Sequence, residues 1–186
     1  MSVDEKNFNE VLRKIIKQVL IEQEKISSEK NLLKKENSIY IAIDEKWDNK
    51  YYLFFEELKK LNPQNIEILF LGEKDNEIKE KFKELNICYK ILKIDEFKIN
   101  TNEDIVIFPV ISRKDIIDIA SCTDKTPVTK VVRVCFESGV KIYFMKYGIE
   151  KLTGKEPDKY KKKVLAYYKE VLEFNIEMID DIRTVI

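Results

Sequence analysis

The sequence predicts an α/β protein built on a doubly wound parallel sheet of about five strands, preceded by an amphipathic helix. Three observations predict it. From residue 38 onward, short runs rich in Ile, Val and Phe alternate with helical patterns, as βαβ units do. Those runs are nearly continuous in apolar residues, Ile105-Val106-Ile107-Phe108 being the clearest, which marks strands buried on both faces. The interval from Lys93 to Glu103 is too short and too polar for a covering helix. There the chain is expected to cross to the other side of the first strand, opening a switch-point crevice at the strand ends.

The elements are justified in chain order. Residues 5–26 carry Phe8, Val11, Leu12, Ile15, Ile16, Val19 and Leu20 at helical spacing, an apolar stripe that predicts one amphipathic helix. The stretch to Asn37 is rich in Lys, Glu, Ser and Asn and reads as a linker or a fraying continuation. Residues 1–37 therefore form a helix with a polar linker, and residues 38–186 the α/β domain. Residues 38–43 are the first strand. Residues 49–61 come next as a helix whose apolar face includes Tyr52, Leu53, Phe55 and Leu58. Residues 66–71 form a strand stopped by Gly72, 75–85 a helix and 87–92 a weaker strand. Residues 104–109 are the strongest strand, and 112–120 a short helix with Asp115 near its start. Residues 127–137 form a helix with Thr126 as N-cap, Pro127 at its first position and Gly139 past its end. Residues 140–145 are the fifth strand, and 158–174 the last helix, entered through Pro157. The tail holds Ile176, Met178, Ile179, Ile182, Val185 and Ile186. It is too apolar for a solvated end and is expected to pack on the domain or on a neighbouring subunit.

Composition excludes several chemistries. The 186 residues include 34 Lys plus Arg against 34 Asp plus Glu, without the basic excess of a nucleic-acid surface. Histidine is absent, which removes Ser-His-Asp and Cys-His catalysis, histidine zinc sites and imidazole bases. No signal-peptide core opens the chain, and no uncharged apolar stretch approaches the length of a membrane span. A cytoplasmic protein with no membrane partner is expected. Cys88, Cys122 and Cys135 lack metal-ligand spacing, so reduced thiols and no metal are expected.

The standard phosphate motifs are missing. Gly72, Gly139, Gly148 and Gly154 cannot make G-x-G-x-x-G. The Gly148-to-Gly154 segment has a residue too many for a phosphate loop and runs into Pro157, so it reads as a turn. Residues 104–127 are more informative. A buried strand ends at Pro109, Ser112 and Arg113 stand at a helix start, and Asp124 and Thr126 precede the next helix. Helix N-termini attract phosphate, and Ser112, Arg113 and Thr126 would add donors. Equally, Ser112 and Thr126 are ordinary N-caps and Arg113 is solvated.

The order Asp104, Pro109, Ser112, Ala120, Asp124 resembles the flavoprotein family that includes the flavin-containing cysteine decarboxylases. The Pro109-x-x-Ser112-Arg113 form is more similar to flavoprotein-like proteins encoded with ethanolamine-utilisation microcompartments. The resemblance implies a Rossmann-like three-layer domain, FMN at the strand ends and a homo-oligomer with its site at a subunit contact. It makes Ser112, Arg113, Asp124 and Thr126 the flavin-side residues, with Trp47 either stacking on the ring or filling the phosphate position. The family's small first loop is here Asp44-Glu45-Lys46-Trp47-Asp48-Asn49-Lys50, and its decarboxylase histidine is missing. Any catalysis is therefore expected to be flavin redox chemistry. The alternative is a non-catalytic cargo, adaptor or assembly protein with a degenerate flavin site. Residues 5–26 resemble the helices that direct cargo into bacterial microcompartments, where a shell or cargo protein would be the partner.

Overall fold

The computed structural model describes residues 37–73 and 76–186. The chain divides into two units, residues 1–36 and 37–186. The helix expected over residues 5–26 lies outside the described residues. The second unit is the α/β domain.

Its elements run β1 (Ile39–Ile43), α1 (Lys50–Leu61), β2 (Ile66–Phe70), α2 (Asn76–Glu84), β3 (Lys90–Lys93), β4 (Ile105–Phe108), α3 (Arg113–Ala120), α4 (Pro127–Ser138), β5 (Lys141–Met145), α5 (Asp158–Glu173) and β6 (Ile176–Ile179). The strands form one sheet in the order β3-β2-β1-β4-β5-β6, and every neighbouring pair is parallel. This is the doubly wound order, with its reversal between β1 and β4.

Alternate residues of each central strand serve two cores. Tyr40 and Ala42 of β1, Val106 and Phe108 of β4, and Ile142 and Phe144 of β5 pack with α3, α4 and α5. Ile41 and Ile43, with Ile107, Tyr143 and Met145, pack with α1 and α2. Burial on both faces explains why these strands read as unbroken apolar runs. Five strands become six because the apolar tail supplies one more. Asn175, in the left-handed region at φ 66°, turns the chain out of α5. Ile176–Ile179 then pairs with β5, Ile142 opposite Ile176.

Two expectations shift. The buried stripe of α1 is Tyr51, Phe54, Phe55 and Leu58, while Leu53 is 51% exposed. Five consecutive apolar residues, Tyr51 to Phe55, left the phase of that helix ambiguous. The third strand starts at Lys90, because Asn86 turns left-handed at φ 51° and the Ile87 N–H closes α2 on the Phe82 carbonyl at 2.8 Å, a Schellman-type end.

The crossing from β3 to β4 contains no covering helix. A short turn, Ile94–Glu96, leads to Phe97, which sets its ring edge-on against Tyr40 at 5.0 Å. Asp104, fully buried, then gathers the strand starts. Its carboxylate accepts from the N–H groups of Ser38 (2.9 Å), Asn100 (2.7 Å) and Thr101 (3.1 Å) and from the Thr101 hydroxyl (3.1 Å). Among the described residues, no helix is long and apolar enough to cross a membrane.

Candidate functional site

The crevice expected at the switch point is present. It has a volume of about 340 Å³ and a floor of Ala42, Leu71, Phe108 and Ile111. One wall is the loop after β1, with Asp44, Lys46, Trp47, Asp48 and Lys50; the other carries Ser112, Asp115 and Glu150. A side cavity of about 260 Å³ shares Asp44, Leu71, Ser112, Asp115 and Val128 with it and adds Lys114 and Thr126. An apolar floor with a few converging polar groups is the usual form of a small-molecule site.

Backbone packing shapes the walls. Pro109, which cannot donate a ladder bond, ends β4. The Ile111 N–H then donates to the Gly148 carbonyl at 3.3 Å, and the Glu150 N–H to the Ile111 carbonyl at 3.1 Å. The loops after β4 and β5 are thereby paired. Gly148 has to be glycine, since a Cβ there would lie 1.7 Å from the Pro109 carbonyl oxygen. Gly72 gives the loop after β1 the same freedom of approach: a Cβ would lie 2.4 Å from that of Glu45.

Each residue singled out in the sequence has a definite place. Ser112 lies on the crevice wall and caps α3, accepting from the Asp115 N–H at 3.1 Å and donating to its carboxylate at 2.5 Å. Arg113 points to the segment after β5, donating to the Lys151 carbonyl at 2.8 Å. It forms ion pairs with Glu150 at 3.4 Å and Glu156 at 3.8 Å. Thr126 borders the side cavity and caps α4 through a reciprocal box with Thr129. Asp124 pairs with Arg133 at 3.0 Å and lines a separate cavity of about 210 Å³ with Cys122 and Phe136. Trp47 reaches the crevice wall, but its ring packs against Tyr51 and Tyr52 at 5.2 Å and near-parallel to Phe55 at 6.3 Å. Its buried indole N–H has no hydrogen-bond partner among the described residues.

The structure thus brings Trp47, Ser112 and Thr126 around one connected space and directs Arg113 and Asp124 elsewhere. It adds Asp115 and Glu150. Burial pushes the Asp115 carboxyl above its ordinary value; the Ser112 hydrogen bond opposes that rise and Asp44 adds to it. Asp115 stands at the third position of α3, the amide that a Ser N-cap reaches, so its closeness to Ser112 was legible even though its position at the crevice was not. Glu150 carried no signal, being a lone acid in a loop. Among the described residues, no group of three Cys, Asp or Glu is placed to hold a metal ion.

Fold and crevice together define a doubly wound α/β domain with an open crevice at its topological switch point. By sequence, no protein-family model and no curated protein matches the chain. By structure it is similar to the FMN-dependent cysteine decarboxylase SpaF, with a TM-score of 0.53 and 7% identity over 77% of this chain and 83% of that one. It is similar also to the dodecameric FMN-dependent UbiX-like decarboxylase of Escherichia coli O157:H7, with a TM-score of 0.51, 9% identity and coverage of 77% and 79%. Burkholderia xenovorans DmrB, a cubic cage for redox transfer solved with FMN, gives a TM-score of 0.51, 8% identity and coverage of 82% and 92%. What the chain shares with these proteins is the fold.

Proposed function

We propose that the chain binds a flavin, in the first instance FMN, in the crevice between the ends of β1 and β4. The observation that carries this reading is the crevice itself, apolar in its floor and polar at its rim, at the place where open α/β sheets take ligands. The FMN dependence of proteins with the same fold supports the choice of ligand.

The residues present fit the group. Ala42, Leu71, Phe108 and Ile111 would hold the ring by burial. Lys46 and Lys50 are the cations that would meet the phosphate. The first amides of α1 are already satisfied, Lys50 N–H by the Asp48 carboxylate at 2.8 Å and Tyr51 N–H by the Asp48 carbonyl at 2.9 Å. The phosphate would therefore be held by side-chain charge, and its affinity would fall with salt. Bound flavin supplies the redox chemistry. The chain's own residues bind and shield the ring, and the Ser112–Asp115 pair holds a proton at the wall. Chemistry through an imidazole is excluded by composition.

Titrating purified protein with FMN, followed by flavin fluorescence, tests the reading. Saturable quenching and a yellow protein support it; colourless protein that takes up no FMN sinks it. The latter result would leave the adaptor reading, which the packing of Trp47 into its own aromatic cluster favours. The ethanolamine-utilisation microcompartment assignment rests on the Pro109-x-x-Ser112-Arg113 resemblance and on residues 5–26. Release from a co-expressed shell on deleting residues 1–26 would support it, and retention would refute it. Self-association is proposed from the dodecamer and cage of the similar folds and from Leu165 and Leu172, exposed on α5. Light scattering would show a multiple of 22.2 kDa.

A further inference from the structure

We propose that Glu150 decides which end of the crevice accepts an anionic group of a ligand: it closes the α3 end to anions and leaves them to Lys46 and Lys50. The inference rests on the flavin reading and names the residue that orients the ligand within that site.

The start of α3 is where an anion would ordinarily be drawn, because helix N-termini present unpaired amides and partial positive charge. Here the chain's own carboxylate holds that position. One Glu150 oxygen accepts from the Arg113 N–H at 2.9 Å, and the other lies 3.4 Å from the Arg113 guanidinium. The Asp115 N–H in the same turn is taken by Ser112. The loop that carries Glu150 is fixed. It is paired to Ile111 by backbone bonds, the Tyr168 hydroxyl donates to the Glu150 carbonyl at 2.7 Å, and Gly148 is wedged against Pro109. Asp115 adds a second carboxylate on that side. On the opposite wall Lys46 and Lys50 stand with Asp44 and Asp48, and the Asp48 carboxylate is engaged with the Lys50 N–H. An anionic group therefore finds the Arg113 amide already taken by Glu150 at the α3 end, where Lys114 stands beside Asp115. At the other end it finds the Lys46 and Lys50 ammonium groups beside Asp44 and Asp48.

FMN and riboflavin differ by one phosphate, so the ratio of their dissociation constants isolates the anion. The measurement compares wild type, Lys46→Ala/Lys50→Ala, and that pair combined with Glu150→Ala or Glu150→Gln. Wild type is expected to prefer FMN by about tenfold, the scale of one charge-assisted contact. The lysine pair loses the preference, Glu150→Ala added to it restores about tenfold, and Glu150→Gln restores part. No FMN preference in wild type, or a triple variant that behaves like the lysine pair, overturns the proposal. If wild type binds neither flavin, the flavin reading falls and inorganic phosphate decides the role of Glu150. Phosphate-induced shifts of the Arg113 and Lys114 amides in Glu150→Ala but not in wild type uphold it; the same response in both overturns it. Glu150 is exposed and its loop bonds are backbone ones, so the variants are expected to fold; thermal melts check this.

Discussion

Replacing Asp104 with Ala should destabilise the domain more than any other single polar change at the strand starts. Its carboxylate accepts four hydrogen bonds, from the Ser38, Asn100 and Thr101 amides and the Thr101 hydroxyl. The Ser38 amide is buried, and leaving it unpaired costs about 1–3 kcal/mol. The half-buried amides of Asn100 and Thr101 can be rescued in part by water and add about 0.5–1 kcal/mol each. The sum is about 2–5 kcal/mol, a fall in Tm of roughly 10 °C at the middle of that range for a domain of this size. Asp104→Asn keeps one acceptor oxygen but turns an NH₂ toward donors, so about half the loss is expected. Urea denaturation followed by circular dichroism reads both variants. A loss below about 1 kcal/mol in Asp104→Ala would refute the argument that this carboxylate ties β1 to β4. Ligand binding per folded molecule should be unchanged, since the crevice lies at the other ends of the strands.

Three other outcomes come from the same geometry. Cys88 and Cys122 are exposed and Cys135 is buried, with burial pushing the Cys135 thiol up to about 12. A thiol reagent should therefore titrate two cysteines in the native protein and the third only after unfolding; fast reaction of all three contradicts this. Because the Asp115 carboxyl is raised on folding, the native state holds its proton more tightly than the unfolded state does. Stability from this group is present at pH below the ordinary carboxylate range and is lost as pH rises through the raised native value. Asp115→Asn should thus gain stability relative to wild type as pH rises above the ordinary carboxylate range in paired denaturation curves, and a parallel pH dependence would exclude the effect. Gly148→Ala forces a Cβ onto the Pro109 carbonyl, with an expected loss of about 3 kcal/mol or more and a distorted crevice wall; an unchanged melt would contradict the contact.

Much of the fold could be read because buried parallel strands and capped helices write themselves in local pattern. Thr126, Pro127 and Gly139 mark both ends of α4, and the structure has the Thr126 box and Gly139 at φ 68°. The polar gap before Asp104 located the sheet reversal. The tail was legible as apolar but not as a strand, since Ile176–Ile179 is too short to show a period and its pairing with β5 is set at a distance. At the site, sequence order placed Arg113 and Asp124 beside Ser112 and Thr126, but order says nothing of side-chain direction. Arg113 turns to the acids that come after β5 and Asp124 to Arg133. Glu150 enters the crevice through tertiary pairing of two loops, information that no local window contains.

That pairing also bears on redesign. Where the loops after β4 and β5 meet, the contour of the wall is drawn by main chain: Pro109 against Gly148 and Ile111 against Ile149. Substituting side chains there would unsettle the scaffold before it changed selectivity. Residues 44–50 are different: Asp44, Lys46, Trp47, Asp48 and Lys50 line the crevice, and Lys46 carries no turn or cap. A library intended to retune the ligand should vary Lys46 and Lys50, and leave Trp47, Asp48 and the Pro109–Gly148 junction untouched.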